Sequence, residues 1–201
     1  MENRSTLILI IYFMILLSGC KKDDNNPVGP VATQDPSITT ISGKINNWTL
    51  GKGYKLELGW RPNVYATTSI DSLGNFSFAP LGIVPSSGLD ATFLQGVSRS
   101  DPSSITSGYY FLLVYAPNSQ SYDYAVGQIQ FENTQFEEAY LYANKPTTFN
   151  GKYSEEGGIV VNCSFSIKTG WNRITITNTS NSSYSITNSA ITGGVWKYSQ
   201  Q

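Results

Sequence analysis

The residue best placed for covalent chemistry in this chain is Cys20, which closes the tetrapeptide Leu17-Ser18-Gly19-Cys20 at the end of an apolar run, Leu7 to Leu17. Arg4 and the terminal amine supply a positive start, and the run is too short to span a bilayer but suits a secretory leader. Small residues directly before a cysteine at this place form a lipobox. Cleavage there makes Cys20 the first mature residue, whose sulfur is alkylated by a diacylglyceryl group and whose new amino terminus is acylated. No other side chain supports that reaction. The expected organisation is a leader at 1–19, a lipidated cysteine with its tether at 20–36, and one folded domain at 37–201.

Other chemistry is restricted by what is missing. The chain has no histidine, so a Ser-His-Asp triad, a Cys-His dyad and any imidazole zinc site are excluded. With Cys20 committed to lipid, Cys163 is the one remaining thiol and no internal disulfide can form, which leaves stability to buried apolar area. Carboxylate pairs are the remaining catalytic option, because glycoside hydrolysis needs an acid and a base or nucleophile across a cleft. Glu137-Glu138 and Glu155-Glu156 are adjacent in sequence, and neighbours on a strand point to opposite faces, so neither pair converges on one bond. Glu155-Glu156-Gly157-Gly158 reads as a hairpin tip, while carboxylates distant in sequence remain open as partners. Asp71 to Asn75 offers too few oxygens for calcium. No catalytic residue, metal or cofactor is therefore assigned. For binding, Trp48 and Trp196 are the candidate sugar platforms, although packing is the better reading of each; Trp60 and Trp171 fall in or beside regular patterns and read as core or corner residues.

Charged residues make up 13% of the chain and aromatic residues another 13%, with 13 Lys and Arg against 14 Asp and Glu. That near neutrality disfavours nucleic acid, whose binding is driven by neutralising phosphates, and disfavours acidic polymers equally.

The elements that must carry these residues are strands. Residues 21–36 have almost no apolar content and read as a flexible tether that holds the domain on the order of 20 Å from the lipid. From Ile38 onward the dominant pattern is period-two alternation broken by Gly, Asn, Asp and Pro. Tyr54, Leu56, Leu58 and Trp60 alternate with Lys55, Glu57 and Gly59, predicting a strand with one wet face. The turn Asp71-Ser72-Leu73-Gly74-Asn75 predicts a hairpin over 63–79. Tyr109 to Ala116, apolar throughout, predicts one strand covered on both faces. Gln128 and Gln130 alternate with Ile129 and Phe131, and Tyr140 and Tyr142 continue the series. Ile159, Val161, Cys163, Phe165 and Ile167 predict five inward positions, with Cys163 buried. Ile174 and Ile176 follow a turn at 168–170, the Asn- and Ser-rich stretch 177–189 reads as a mobile loop or weak edge strand, and a last strand is expected at 195–198. About eleven strands without helical periodicity predict an all-β, two-sheet β-sandwich.

Ser42-Gly43-Lys44-Ile45 followed by Asp71 to Phe78 resembles the opening strands of transthyretin-like or carboxypeptidase-regulatory-type sandwich modules. Tyr140 to Asn144, Phe149-Asn150-Gly151 and Phe165 to Asn172 resemble the C-terminal half of uncharacterised bacterial lipoproteins that end in a Lys-x-Gly-Trp-Asn turn. The resemblance implies an immunoglobulin- or transthyretin-like sandwich and carries no substrate. Lys21-Lys22-Asp23-Asp24 resembles the charged surface-export signal of Bacteroidetes lipoproteins, with a solvated spacer as the alternative, and Asp71-Ser72-Leu73 resembles their O-glycosylation acceptor, with a plain turn as the preferred reading. The expected role is that of a non-catalytic binding or structural module, lipid-anchored in the cell envelope at the outer membrane and facing either the cell surface or the periplasm. Its partners are the membrane, through the lipid, and a polysaccharide or an envelope protein. A glycan-binding lipoprotein and a carboxylate hydrolase are the alternatives.

Overall fold

The computed structural model describes residues 37–200 apart from 62, 87–88, 90–93, 95–96, 110–111, 121–123, 155–157 and 181. Cys20 and the pair Glu155-Glu156 thus lie outside the described residues. The described chain is all-β, as its alternation predicts, with two sheets and no α-helix among the described residues. Its fourteen strands are β1 (Ile41–Lys44), β2 (Lys55–Trp60), β3 (Asn63–Ser69), β4 (Asn75–Phe78), β5 (Ser98–Arg99), β6 (Thr106–Tyr109), β7 (Leu112–Tyr115), β8 (Gly127–Glu132), β9 (Phe136–Ala143), β10 (Thr147–Ser154), β11 (Val160–Ile167), β12 (Gly170–Ser180), β13 (Ser183–Thr187) and β14 (Val195–Gln200).

The smaller sheet is the antiparallel ribbon β1-β4; the larger runs β3-β2-β7-β8-β9-β12-β13-β11-β10-β5, with β14 on β8 and β6 on β9. The large sheet divides in two at the β8–β9 connection, because these strands share only the pair Glu132–Glu137 before β7 takes over as the neighbour of β8. Each half has its own core. The first gathers Ile41, Phe76 and Phe78 of the ribbon, with Ile45 just after β1, against Leu56, Leu58, Leu112, Val114, Ile129 and Trp196. The second gathers Ala139, Leu141, Phe149, Val161, Cys163, Phe165, Ile174 and Ile186. Strand β9 is the common wall: Tyr140 and Tyr142 enter the first core while Ala139, Leu141 and Ala143 enter the second, as period-two alternation requires.

Alternation holds best on β11, where Val161, Cys163, Phe165 and Ile167 are buried and the residues between them are half-buried. Elsewhere the sequence expectations need correction. Residues 63–79 do not form a hairpin. Asp71 does close an Asx turn, its Oδ1 accepting from Leu73 N (2.8 Å) and Asn75 N (2.9 Å) with Gly74 at φ 83°, but the turn is a corner between sheets. Its flanks pair elsewhere, β3 with β2 in the large sheet and β4 with β1 in the small one. The apolar run from Tyr109 to Ala116 contains parts of two strands, β6 on β9 and β7 on β8, and β7 is buried at all four positions. The wet face of β2 is also absent at Glu57, which is 5% exposed and takes two hydrogen bonds from Arg61, whose guanidinium lies 3.6 Å over the Tyr115 ring. Gln130 is likewise buried.

The largest departure concerns 177–189. Strand β13 is internal, lying between β12 and β11 and parallel to β11. The β11–β12 hairpin is splayed below its turn, and β13 fills the gap. Two asparagines close the apex. Asn172 Oδ1 accepts from Lys168 N (2.8 Å), and its Nδ2 donates to Lys168 O (2.7 Å) and Gly170 O (2.8 Å). Asn188, where β13 ends, accepts from Ser166 N (2.6 Å) in place of the missing strand. Gly170 adopts φ 95°, and Trp171 turns to the first core, donating to Gly82 O. The Lys-x-Gly-Trp-Asn pattern is therefore a corner that locks one core to the other.

Candidate functional site

Strand register across the second half brings chemistry-bearing side chains together on the face opposite its core. Asn150, Ser164, Thr187 and Thr175 form one row across β10, β11, β13 and β12; Lys152, Asn162, Ser185 and Thr177 form the next. A third contains Thr148 and Ser166, whose hydroxyls are 2.9 Å apart. Apart from the buried Thr175, these residues are half-buried or exposed. The face is thus a sheet of hydroxyls and amides with both donors and acceptors.

At its β9 side stands Arg173, paired in register with Tyr140. Glu138 and Tyr140 lie on this same face and are both buried. Tyr140 OH donates to Glu138 Oε1. Arg173 Nε lies 3.0 Å from Glu138 Oε2, near enough for an ion pair, yet no hydrogen bond satisfies that N–H. Burial raises Glu138 above the ordinary glutamate value, against the opposing pull of the Tyr140 hydroxyl and the Arg173 charge. Tyr140, fully buried beside that carboxylate, is pushed well above the ordinary tyrosine value. The connection from β13 to β14 is tied over this end by Thr175, which donates to Ser189 O, and by Asn133, which donates to Thr192 O (3.1 Å). The result is asymmetric: the Glu138 side chain is 5% exposed, whereas that of Arg173 is 40% exposed and makes no hydrogen bond to a described residue. Glu138 and Tyr140 act as an anchor that holds an arginine at the edge of the polar face.

The residues singled out by sequence fall elsewhere. Trp196 is 7% exposed, packed edge-on against Phe76 (ring centroids 4.9 Å) and tilted against Phe131 (5.4 Å). A ring so enclosed offers no stacking platform, and the close approach of Gly43 makes the room for it. Trp48 is half-buried, donates from Nε1 to Gly51 O (2.7 Å), and meets Tyr54 and Tyr198 edge-to-face, each at 5.5 Å. Beside it, both polar atoms of Asn47 are used by the backbone of Tyr198, sealing the free edge of β14. Glu137 and Glu138 are on opposite faces of β9. Glu137 instead faces Glu132 across the strand pair and accepts from Gln130 (3.2 Å), while Glu132 is paired with Lys197 (2.9 Å). Burial, with the Glu132 charge second, raises Glu137 above its ordinary value. These two carboxyls stand side by side on one sheet surface, not across a cleft. Among the described residues no group of three His, Cys, Asp or Glu is close enough to hold a metal ion.

The Arg173 face was missed from sequence because it depends on β13 entering between β11 and β12. The available signal was the run of Ser, Thr and Asn at alternate positions of 162–166 and 183–187. Comparison of the chain with protein-family models, with curated proteins and with solved structures finds no match.

Proposed function

We propose that this chain is an envelope lipoprotein, acylated at Cys20, whose β-domain is a non-catalytic binding or structural module facing outward from an outer membrane. The observation that carries the binding role is the open hydroxyl and amide face with a half-exposed arginine held at its edge. A transthyretin-like sandwich is the family reading that suits the ribbon, since Ser42–Lys44 and Asn75–Ser77, which are parts of the two stretches of that resemblance, pair directly. Mass spectrometry of natively produced protein tests the anchor: diacylglyceryl and acyl groups on Cys20 are expected, and an unmodified thiol or a retained leader refutes it. Protease shaving of intact cells then tests outward display, with loss of the domain expected.

A second reading, a glycan platform at Trp48, is favoured by the aromatic group it forms with Tyr54 and Tyr198. Calorimetry against a polysaccharide panel tests it, the expected result being binding that Trp48→Ala abolishes.

A further inference from the structure

We infer that the face around Arg173 takes a carboxylated polysaccharide chain, a proposal that rests on the binding-module reading above. Strand alternation places three charged side chains on this face among the described residues: Arg173 on β12, Lys152 on β10 and Glu138 on β9. Glu138 is buried under the connection that leaves β13, so the charge open to water is wholly positive. The near-neutral total of the chain conceals this local imbalance.

Two features select the occupant. Between the cations lie Asn150, Ser164, Thr187 and Thr148, uncharged side chains that match the alternating donors and acceptors of sugar hydroxyls. No large apolar side chain stands among these four, and the half-buried Phe136 and Val160 share the face only at its margins, beside Thr177 and Ser183, so the stretch between the cations lacks the aromatic and aliphatic anchors on which protein partners concentrate their binding energy. Arg173 and Lys152 are three strands and two rows apart, roughly 15–20 Å from strand spacing and rise. A single small anion cannot bridge that span. A polymer bearing a carboxylate on successive sugars can place one on the Arg173 guanidinium and another near Lys152, with hydroxyls between. The guanidinium suits this role because its planar fork matches a carboxylate in two parallel hydrogen bonds, and because its position is already held by Glu138.

Affinity electrophoresis and calorimetry with polygalacturonate, and with the same polymer after methyl esterification, test the proposal on the whole mature chain. Retardation by the free acid and little by the ester is expected, weakening as salt is added. Arg173→Gln should weaken binding by about tenfold to a hundredfold, the loss of one charge-assisted contact, and Lys152→Gln by less. Because Arg173→Gln leaves Glu138 without its ion pair, Ser164→Glu serves as the second variant: it leaves that network alone and sets a like charge in the ligand's path, and should abolish retardation. Equal binding of acid and ester overturns the carboxylate assignment while leaving a binding module in place. Binding unaffected by Arg173→Gln and Ser164→Glu overturns the face. Failure to bind either polymer, or preference for phosphatidylglycerol vesicles over both, overturns the proposal.

Discussion

Replacing Asn172 should reveal how much the double corner contributes to the fold. Its side chain is fully buried and makes three short hydrogen bonds, from Lys168 N (2.8 Å) and to the carbonyls of Lys168 (2.7 Å) and Gly170 (2.8 Å), with a longer one to Leu141 O (3.5 Å). At about 1 kcal/mol for each of the three short bonds, Asn172→Ala should cost about 3 kcal/mol. For a domain of this size that corresponds to a fall in Tm of roughly 6–12 °C. Asn172→Asp separates hydrogen bonding from shape. It keeps the acceptor for Lys168 N but aims an oxygen at two carbonyls, so at neutral pH it should be at least as damaging as alanine despite being isosteric. Those carbonyls and the burial disfavour the charged form and raise the folded-state pKa of the new carboxyl. Its penalty should therefore shrink as pH falls through that raised value, while the alanine penalty stays level. Urea denaturation followed by tryptophan emission and circular dichroism measures both. An aspartate variant milder than alanine at pH 7, or one whose penalty ignores pH, would refute the donor assignment at this corner.

Glu137 and Glu138 are both raised by burial, so the folded state binds their protons more tightly than the unfolded chain does. Stability should rise as pH is lowered from neutrality toward the unfolded glutamate value of about 4.3. Glu137→Gln should flatten that slope in a pH series of Tm values, and an unchanged slope counts against it. Asp71 and Asp101 act in the opposite sense. Held low chiefly by Asn75 and Ser103, they contribute stability above the ordinary aspartate range that is lost at more acid pH. Cys163 is fully buried, so an aromatic disulfide reagent should label it only at the rate of unfolding; rapid labelling of native protein contradicts its placement. A Cβ at Gly43 would stand 2.1 Å from Trp196 Nε1, so Gly43→Ala should cost about 1–3 kcal/mol by overpacking and alter the tryptophan emission. Wild-type stability would mean the ring can move aside.

What was legible in the sequence was local. Val161 to Ile167 reads as a strand with a buried face because large apolar residues alternate with small polar ones, and the turn at 168–170 is marked by Gly170. The segment 177–189 looks like a loop because of how β13 earns its place: Ile186 alone is fully committed to the core, and Ser183, Ser185 and Thr187 face outward. Its interior position follows from pairing with β11, over twenty residues away, which no local pattern reports. Glu57 and Gln130 fail for a related reason. Alternation gives the face of a strand but not what covers it, and Arg61 lies over Glu57 while Glu137 takes up Gln130. Trp196 shows the same limit, since its enclosure depends on Gly43, Phe76 and Phe131. The polar face was visible as composition and invisible as a surface.

Ser37 bridges to Asn172, and Ile38 N donates to Trp171 O (2.9 Å), so the chain enters the domain alongside the first residues of β12. Arg173 is the next residue on that strand. The strand position that bears Arg173 is thus joined to the first described residues of the chain within one or two peptide units. Ile38 and Trp171, which make that contact, both pack on the first core, so the start of the described chain, the strand that bears Arg173 and one hydrophobic interior are fastened together at a single place.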